Sequence, residues 1–138
     1  MAEGFSGGCG CGAIRFACSA EPLAIFNCHC RDCQKASGAP FISAIAVPST
    51  AVTITGQPKY HSVRTDSGGT MSRGFCAECG SRLFARISDR AGAIGIHLPS
   101  LDDPNRYQPT MDIWTSSALK WDHMNPSLQK IAKGAPPH

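Results

Sequence analysis

The sequence lacks any apolar run long enough to cross a bilayer. Its longest, Phe41 to Val47, is interrupted by Ser43 and falls far short of the roughly 18 to 20 residues a span requires. It also lacks a block of five or six like charges. The thirteen Lys and Arg are scattered against ten Asp and Glu, for a net charge of +3, which is no footprint for nucleic acid. The opening residues, Met1 to Gly8, hold neither the basic segment nor the apolar stretch of an export signal. There is no repeat of fixed period and no low-complexity tract, and charged residues make up only 17% against 42% hydrophobic, a balance that favours a packed fold over disorder. These absences lead us to expect a cytoplasmic protein with no membrane and no nucleic-acid partner.

Cysteine, by contrast, is abundant, with eight in 138 residues. Thiols stay reduced in the cytosol, so metal accounts for them better than a disulfide framework does. They fall into three clusters: Cys9-Gly10-Cys11-Gly12, Cys28-His29-Cys30-Arg31-Asp32-Cys33 and Cys76-Ala77-Glu78-Cys79-Gly80. Two thiolates one or two residues apart on a tight turn can aim at one point. Gly12 and Gly80 follow the second cysteine of each outer pair, where the backbone must turn.

Cys9, Cys11, Cys76 and Cys79 together make a four-thiolate set for a closed, structural zinc. Cys28, Cys30 and Cys33 offer three ligands, and a three-ligand zinc keeps a position for water or substrate. The expected cofactor is therefore zinc, two per chain. One alternative is that His29, His61, His97 or Cys18 closes the second site as well; disulfides and an iron–sulfur cluster are others. Cys18 otherwise reads as a small buried apolar residue.

Around the cysteines the pattern is mainly β. Segments rich in β-branched and aromatic residues run from Ala13 to Cys18, Ala24 to Asn27, Phe41 to Val47, Ala51 to Thr55, Lys59 to Val63, Met71 to Phe75, Arg82 to Ile87 and Ala93 to Leu98. Turn formers such as Gly38-Ala39-Pro40, Gly56-Gln57-Pro58 and Asp66-Ser67-Gly68-Gly69 separate them. Alternation in Ala13 to Cys18 and Ala51 to Thr55 suits antiparallel sheets with one face on a core. One short helix is expected after Cys30, ending near Ser37-Gly38. A second is expected at Pro126 to Lys133, with Pro126 beginning it and Gly134 ending it, before a frayed tail. The expectation is a single domain over 1–138, with 126–138 forming the short C-terminal helix and tail.

Four ordered motifs then carry a resemblance. They are Gly8-Cys9-Gly10-Cys11-Gly12-Ala13-Ile14-Arg15-Phe16; Cys28-His29-Cys30-Arg31-Asp32-Cys33-Gln34-Lys35 followed by Ser37-Gly38-Ala39-Pro40-Phe41; Arg73-Gly74-Phe75-Cys76-Ala77-Glu78-Cys79-Gly80-Ser81; and Ile113-Trp114-Thr115-Ser116-Ser117 with Trp121. Over most of its length the sequence resembles the glutathione-dependent formaldehyde-activating enzymes, a family that includes centromere protein V-like domains. The resemblance implies antiparallel sheets around zinc knuckles in a Rab-accessory-protein-like zinc fold, and the same division of the cysteines into a structural and a catalytic zinc. It implies a carbon–sulfur lyase-type reaction, in which glutathione and formaldehyde condense to S-hydroxymethylglutathione. Many members of that family carry His where this chain has Asp112.

Within that reading Cys28, Cys30, Cys33 and His29 form the catalytic set, His29 as a proton relay or as a residue that shapes the ligand loop. Arg31, Lys35, Arg64 and Arg73 are candidate partners for the carboxylates of glutathione, and Trp114 and Trp121 are candidate pocket walls. The expected partners are a small-molecule thiol such as glutathione and an aldehyde. The competing readings are a non-catalytic zinc-stabilised binding module and a thiol redox or metal sensor.

Overall fold

A computed structural model describes residues 4–134, and most of the chain's short apolar segments form strands in it. The strands are β1 Phe5–Gly8, β2 Arg15–Cys18, β3 Ala24–Cys28, β4 Ile42–Pro48, β5 Val52–Thr55, β6 Lys59–Arg64, β7 Thr70–Phe75, β8 Arg82–Ile87, β9 Ala93–His97, β10 Met111–Ile113 and β11 Gln129–Ile131. All eight expected segments are among them, with ends displaced by no more than two residues. The one α-helix among the described residues, α1 Arg31–Ser37, starts at Cys30, whose Sγ accepts the Cys33 N–H at 3.3 Å, and stops at Gly38. No helix among the described residues is long and apolar enough to cross a membrane.

Two sheets result. The smaller has the order β1-β2-β5, and the larger has the order β11-β10-β3-β4-β9-β8-β7-β6. Strands β6 to β9 form the expected antiparallel meander. The larger sheet is nevertheless mixed, because β10 runs parallel to both β3 and β11. Parallel neighbours need a long connection, and residues 114–128 supply one between β10 and β11.

The expected C-terminal helix does not form. Within Pro126 to Lys133 the chain instead builds β11, in register with β10 from Met111 opposite Gln129 to Ile113 opposite Ile131. An isolated helix this short is marginal in water, whereas the edge of β10 offers ladder hydrogen bonds. Lys130 adds an ion pair to Asp112 and donates to the Asn125 and Leu128 carbonyls. Of the tail expected to fray, residues 135–138 lie outside the described residues.

Strand β4 divides the interior. Ile45 and Val47 face a core shared with Phe16, Leu83, Phe84, Ile94 and Ile96, all nearly or wholly inaccessible to water. Full burial of side chains of this size stabilises by about 1.5–3 kcal/mol each. Ile42 and Ala44 alternate to the opposite face and pack with Cys28, Cys33 and Ile113. The three-cysteine group therefore belongs to the second face of the large sheet.

Candidate metal centres and an adjoining cavity

The β1–β2 turn and the β7–β8 turn are about seventy positions apart in sequence, yet they meet. The sulfurs of Cys9, Cys11, Cys76 and Cys79 all lie within 4.8 Å of one another. Cys9 and Cys11 are separated by 3.7 Å, and Cys11 and Cys76 by 3.8 Å. A tetrahedron with Zn–S bonds of about 2.3 Å has edges of about 3.8 Å, so the donor set and its spacing fit zinc. Gly12 and Gly80 have φ values of 82° and 79°, the left-handed backbone that lets each knuckle close on itself. The amide N–H of Ile14 donates to Cys9 Sγ at 3.2 Å. Hydrogen bonds from the Ser81 side chain and backbone hold Cys79 down at about 5, while, against the Ala13 backbone, hydrogen bonding to Cys9 and Cys79 pushes Cys11 up to about 12. Because the knuckles belong to different sheets, an ion here would tie the small sheet to the large one.

The second group stands at the end of β3 and the start of α1. Cys28, Cys30 and Cys33 place their sulfurs within 4.8 Å of one another, and no fourth His, Cys, Asp or Glu joins them among the described residues. Hydrogen bonding to Cys30 and Cys33, with burial, pushes the Cys28 thiol up. Cys30, on the receiving side of those bonds, is held down at about 2. Three crowded sulfurs sharing protons in this way make a donor set suited to a soft cation such as zinc. The guanidinium of Arg73 lies beside them, with Nη2 3.6 Å from Cys33 Sγ.

His29, though flanked by two of these cysteines, turns away from them. Its ring is wholly buried, with Nε2 2.8 Å from Asp112 Oδ1 and Nδ1 3.5 Å from Asp122 Oδ2, and it packs against the ring of Phe41. Asp112 is equally buried and also accepts from Asn27 and Lys130. Hydrogen bonds from His29, Lys130 and Asn27 outweigh desolvation and hold its carboxyl below the usual carboxylate range. The geometry suits His29 to shaping the loop, since its ring does not face the cavity described next. Asp112, marked in the sequence only as a departure from the His that many family members carry, is the buried partner of His29.

Beside the three cysteines an apolar cavity of about 160 Å³ opens over the large sheet, walled by Phe26, Ile42, Ala44, Met71, Ile113 and Trp114 among others, with Arg73, Arg90 and His97 as its polar residues beyond the cysteines. It adjoins a larger, more open basin of about 590 Å³ that carries charged side chains, to which both Trp114 and Arg73 also contribute. Arg31, Arg64 and Arg90 line this basin together with Asp32, Asp66 and Asp89. Trp114 holds φ 56°, a left-handed conformation that is costly for a bulky residue and is found where surrounding structure imposes it.

The remaining candidates go elsewhere. Lys35 is exposed in the last turn of α1 and lines neither space, and Trp121 is 67% exposed. His61 is exposed on β6. Cys18 is buried in the first core, where its thiol donates to the Ala20 carbonyl at 3.7 Å.

A family model described as glutathione-dependent formaldehyde-activating enzyme matches residues 4–117. The chain belongs to that family. A protein of Penicillium rubens, named provisionally as a glutathione-dependent formaldehyde-activating enzyme, is 30% identical over 124 residues, covering 84% of this chain and 64% of its own length. A protein of Phaeosphaeria nodorum with the same provisional name is 31% identical over 97 residues, covering 67% of this chain and 50% of its own. The chain thus spans between half and two-thirds of the curated relatives it matches. The fold is also that of a Rhodobacter sphaeroides protein solved by crystallography, with a TM-score of 0.57 at 19% identity over 73% of this chain and 91% of that one. All seven cysteines that converge here into two groups lie within the matched residues.

Proposed function

We propose that this chain catalyses the reversible addition of a thiol to an aldehyde, with glutathione as the thiol and formaldehyde the simplest carbonyl, a carbon–sulfur lyase-type reaction in its reverse sense. The observation that carries the reading is the three-cysteine group set between an apolar cavity and a basin bearing four arginines and three aspartates. Glutathione presents two carboxylates and one ammonium group, and a basin of mixed sign with an excess of guanidinium matches that pattern.

In the addition, the sulfur forms a bond to the carbonyl carbon, the C=O π bond breaks, and the thiol proton ends on the carbonyl oxygen. No oxidant or reductant is consumed. Zinc held by Cys28, Cys30 and Cys33 would supply a Lewis acid able to favour thiolate over thiol or to polarise a carbonyl. The chain's own contributions are separate. Arg31 and Arg64 orient the charged ends of the thiol, Arg73 brings fixed positive charge to the place where negative charge develops, and the apolar walls limit competing water. Zinc held by Cys9, Cys11, Cys76 and Cys79 would be structural.

The test is zinc per chain by elemental analysis for the parent and Cys33→Ala, paired with glutathione–formaldehyde exchange rates by ¹³C NMR. Two zincs falling to one in a folded variant, with exchange reduced to the uncatalysed rate, support the reading. Exchange at the uncatalysed rate in a two-zinc parent would discard catalysis in favour of a binding module.

A further inference from the structure

Formaldehyde has two heavy atoms, and the cavity beside the cysteines is far too large for it. At about 160 Å³ it matches an apolar cavity of about 150 Å³ known to stay dry and admit benzene. The excess space is written into the register of the large sheet. Ala46 stands opposite Gly95, and Gly95 opposite Ala85, so three neighbouring strands meet in a row with no side chain beyond Cβ. Beside that row, Ala44 pairs with His97 on one side and Phe26 on the other.

Gly95 is the decisive residue, because backbone geometry does not require it. It has no positive φ, and a Cβ built there would meet only Ala85, at 3.6 Å, an ordinary contact. A glycine inside a strand weakens it and marks a place where something approaches closely. Here no side chain fills the space above it, and the walls offer water few partners.

We infer that this cavity is a subsite for an apolar group of about six carbons, and that the carbonyl reactant carries it. The inference rests on the thiol–aldehyde reading above and names its substrate class: aldehydes with a short aliphatic or aromatic substituent. The assignment to the carbonyl side follows from the neighbouring spaces. The charged basin suits a charged thiol, which leaves the apolar recess for the other reactant.

The experiment uses the full chain and two floor-filling variants, Gly95→Ala and Gly95→Val. Calorimetric binding of benzyl alcohol, a non-reacting probe, is measured alongside kcat/KM for benzaldehyde and formaldehyde with glutathione. Gly95→Ala serves as the fold control, since its added methyl makes only ordinary contacts. Expected are benzyl alcohol binding with a negative heat-capacity change, a several-fold loss in Gly95→Ala, and a loss of at least about 10-fold in Gly95→Val. The benzaldehyde-to-formaldehyde selectivity ratio should fall in parallel. Absence of benzyl alcohol binding to the parent, or binding and selectivity unchanged in both variants, would overturn the inference. Binding that disappears in Gly95→Val while no aldehyde is turned over would uphold the apolar subsite and discard the reaction assigned to it.

Discussion

Nε2 of His29 lies 2.8 Å from Oδ1 of Asp112, joining the residue between two candidate zinc ligands to a carboxylate on a strand 83 positions away. Neither side chain is more than marginally exposed. Removing one member of a buried ionic network leaves the others desolvated without partners, at a cost of about 3–5 kcal/mol. Asp112→Ala should therefore lower stability by about that amount in urea unfolding, and the remaining folded protein should hold less metal at Cys28, Cys30 and Cys33. A variant with the parent's midpoint and two zincs per chain would contradict this. Lys130→Met should cost less, because the Lys130 side chain is one-third exposed and Asp112 keeps its contacts with Asn27 and His29.

The closed cysteine set predicts a different failure. Its two knuckles belong to separate sheets, so losing a ligand loosens their junction as well as a loop. Structural zinc in small modules supplies on the order of 10 kcal/mol, comparable to a whole domain's stability. Cys76→Ser should accumulate unfolded or melt far below the parent, whereas Cys33→Ala should stay folded. Circular dichroism melts of the two variants decide this, and equal melting temperatures would remove the structural distinction between the sites.

Legibility from sequence followed the reach of the signal. Both cysteine groups could be read because their spacing is local and because Gly12 and Gly80 mark the turns. The eight strand segments could be read because alternation is local too. Strand β10 hid in three residues, and β11 looked like a helix because Pro126 and Gly134 carry the right punctuation; only pairing across the chain overrules it. The pairing of Asp112 with His29 and the alanine–glycine floor were invisible for the same reason. Ala46, Gly95 and Ala85 become a row only once the register of three strands is known. Trp121 and Lys35 belong to the motifs yet are exposed to solvent, since membership of a motif does not decide which face a residue takes.

His97 gives a pH prediction. Burial, reinforced by the charges of Arg73 and Arg82, pushes its imidazole from the ordinary 6.5 down to about 4. The folded state thus resists a proton that the unfolded state accepts, so stability is complete above pH 6.5 and falls as the pH drops toward 4. The loss attributable to His97 is at most on the order of 3 kcal/mol. Protonation of cysteine ligands adds acid sensitivity of its own, so the informative quantity is the difference between parent and His97→Gln across that window. The variant should lose less stability on acidification, and parallel curves would show that His97 contributes nothing.

The charged basin makes the last prediction, one about which thiol enters. If Arg31 and Arg64 receive carboxylates, their loss should matter for glutathione and not for a thiol that has none. An exposed ion pair contributes only about 0.2–1 kcal/mol, and charge-assisted hydrogen bonds somewhat more, so each single alanine variant should raise KM for glutathione by about two- to tenfold with kcat nearly constant. With 2-mercaptoethanol as the thiol, the same variants should match the parent. A rise in KM for both thiols would mean that the substitutions disturb α1 or the β6–β7 hairpin generally. No change with either thiol would make Arg31 and Arg64 ordinary surface charges, and attraction to carboxylates would have to come from Arg73 beside Cys33.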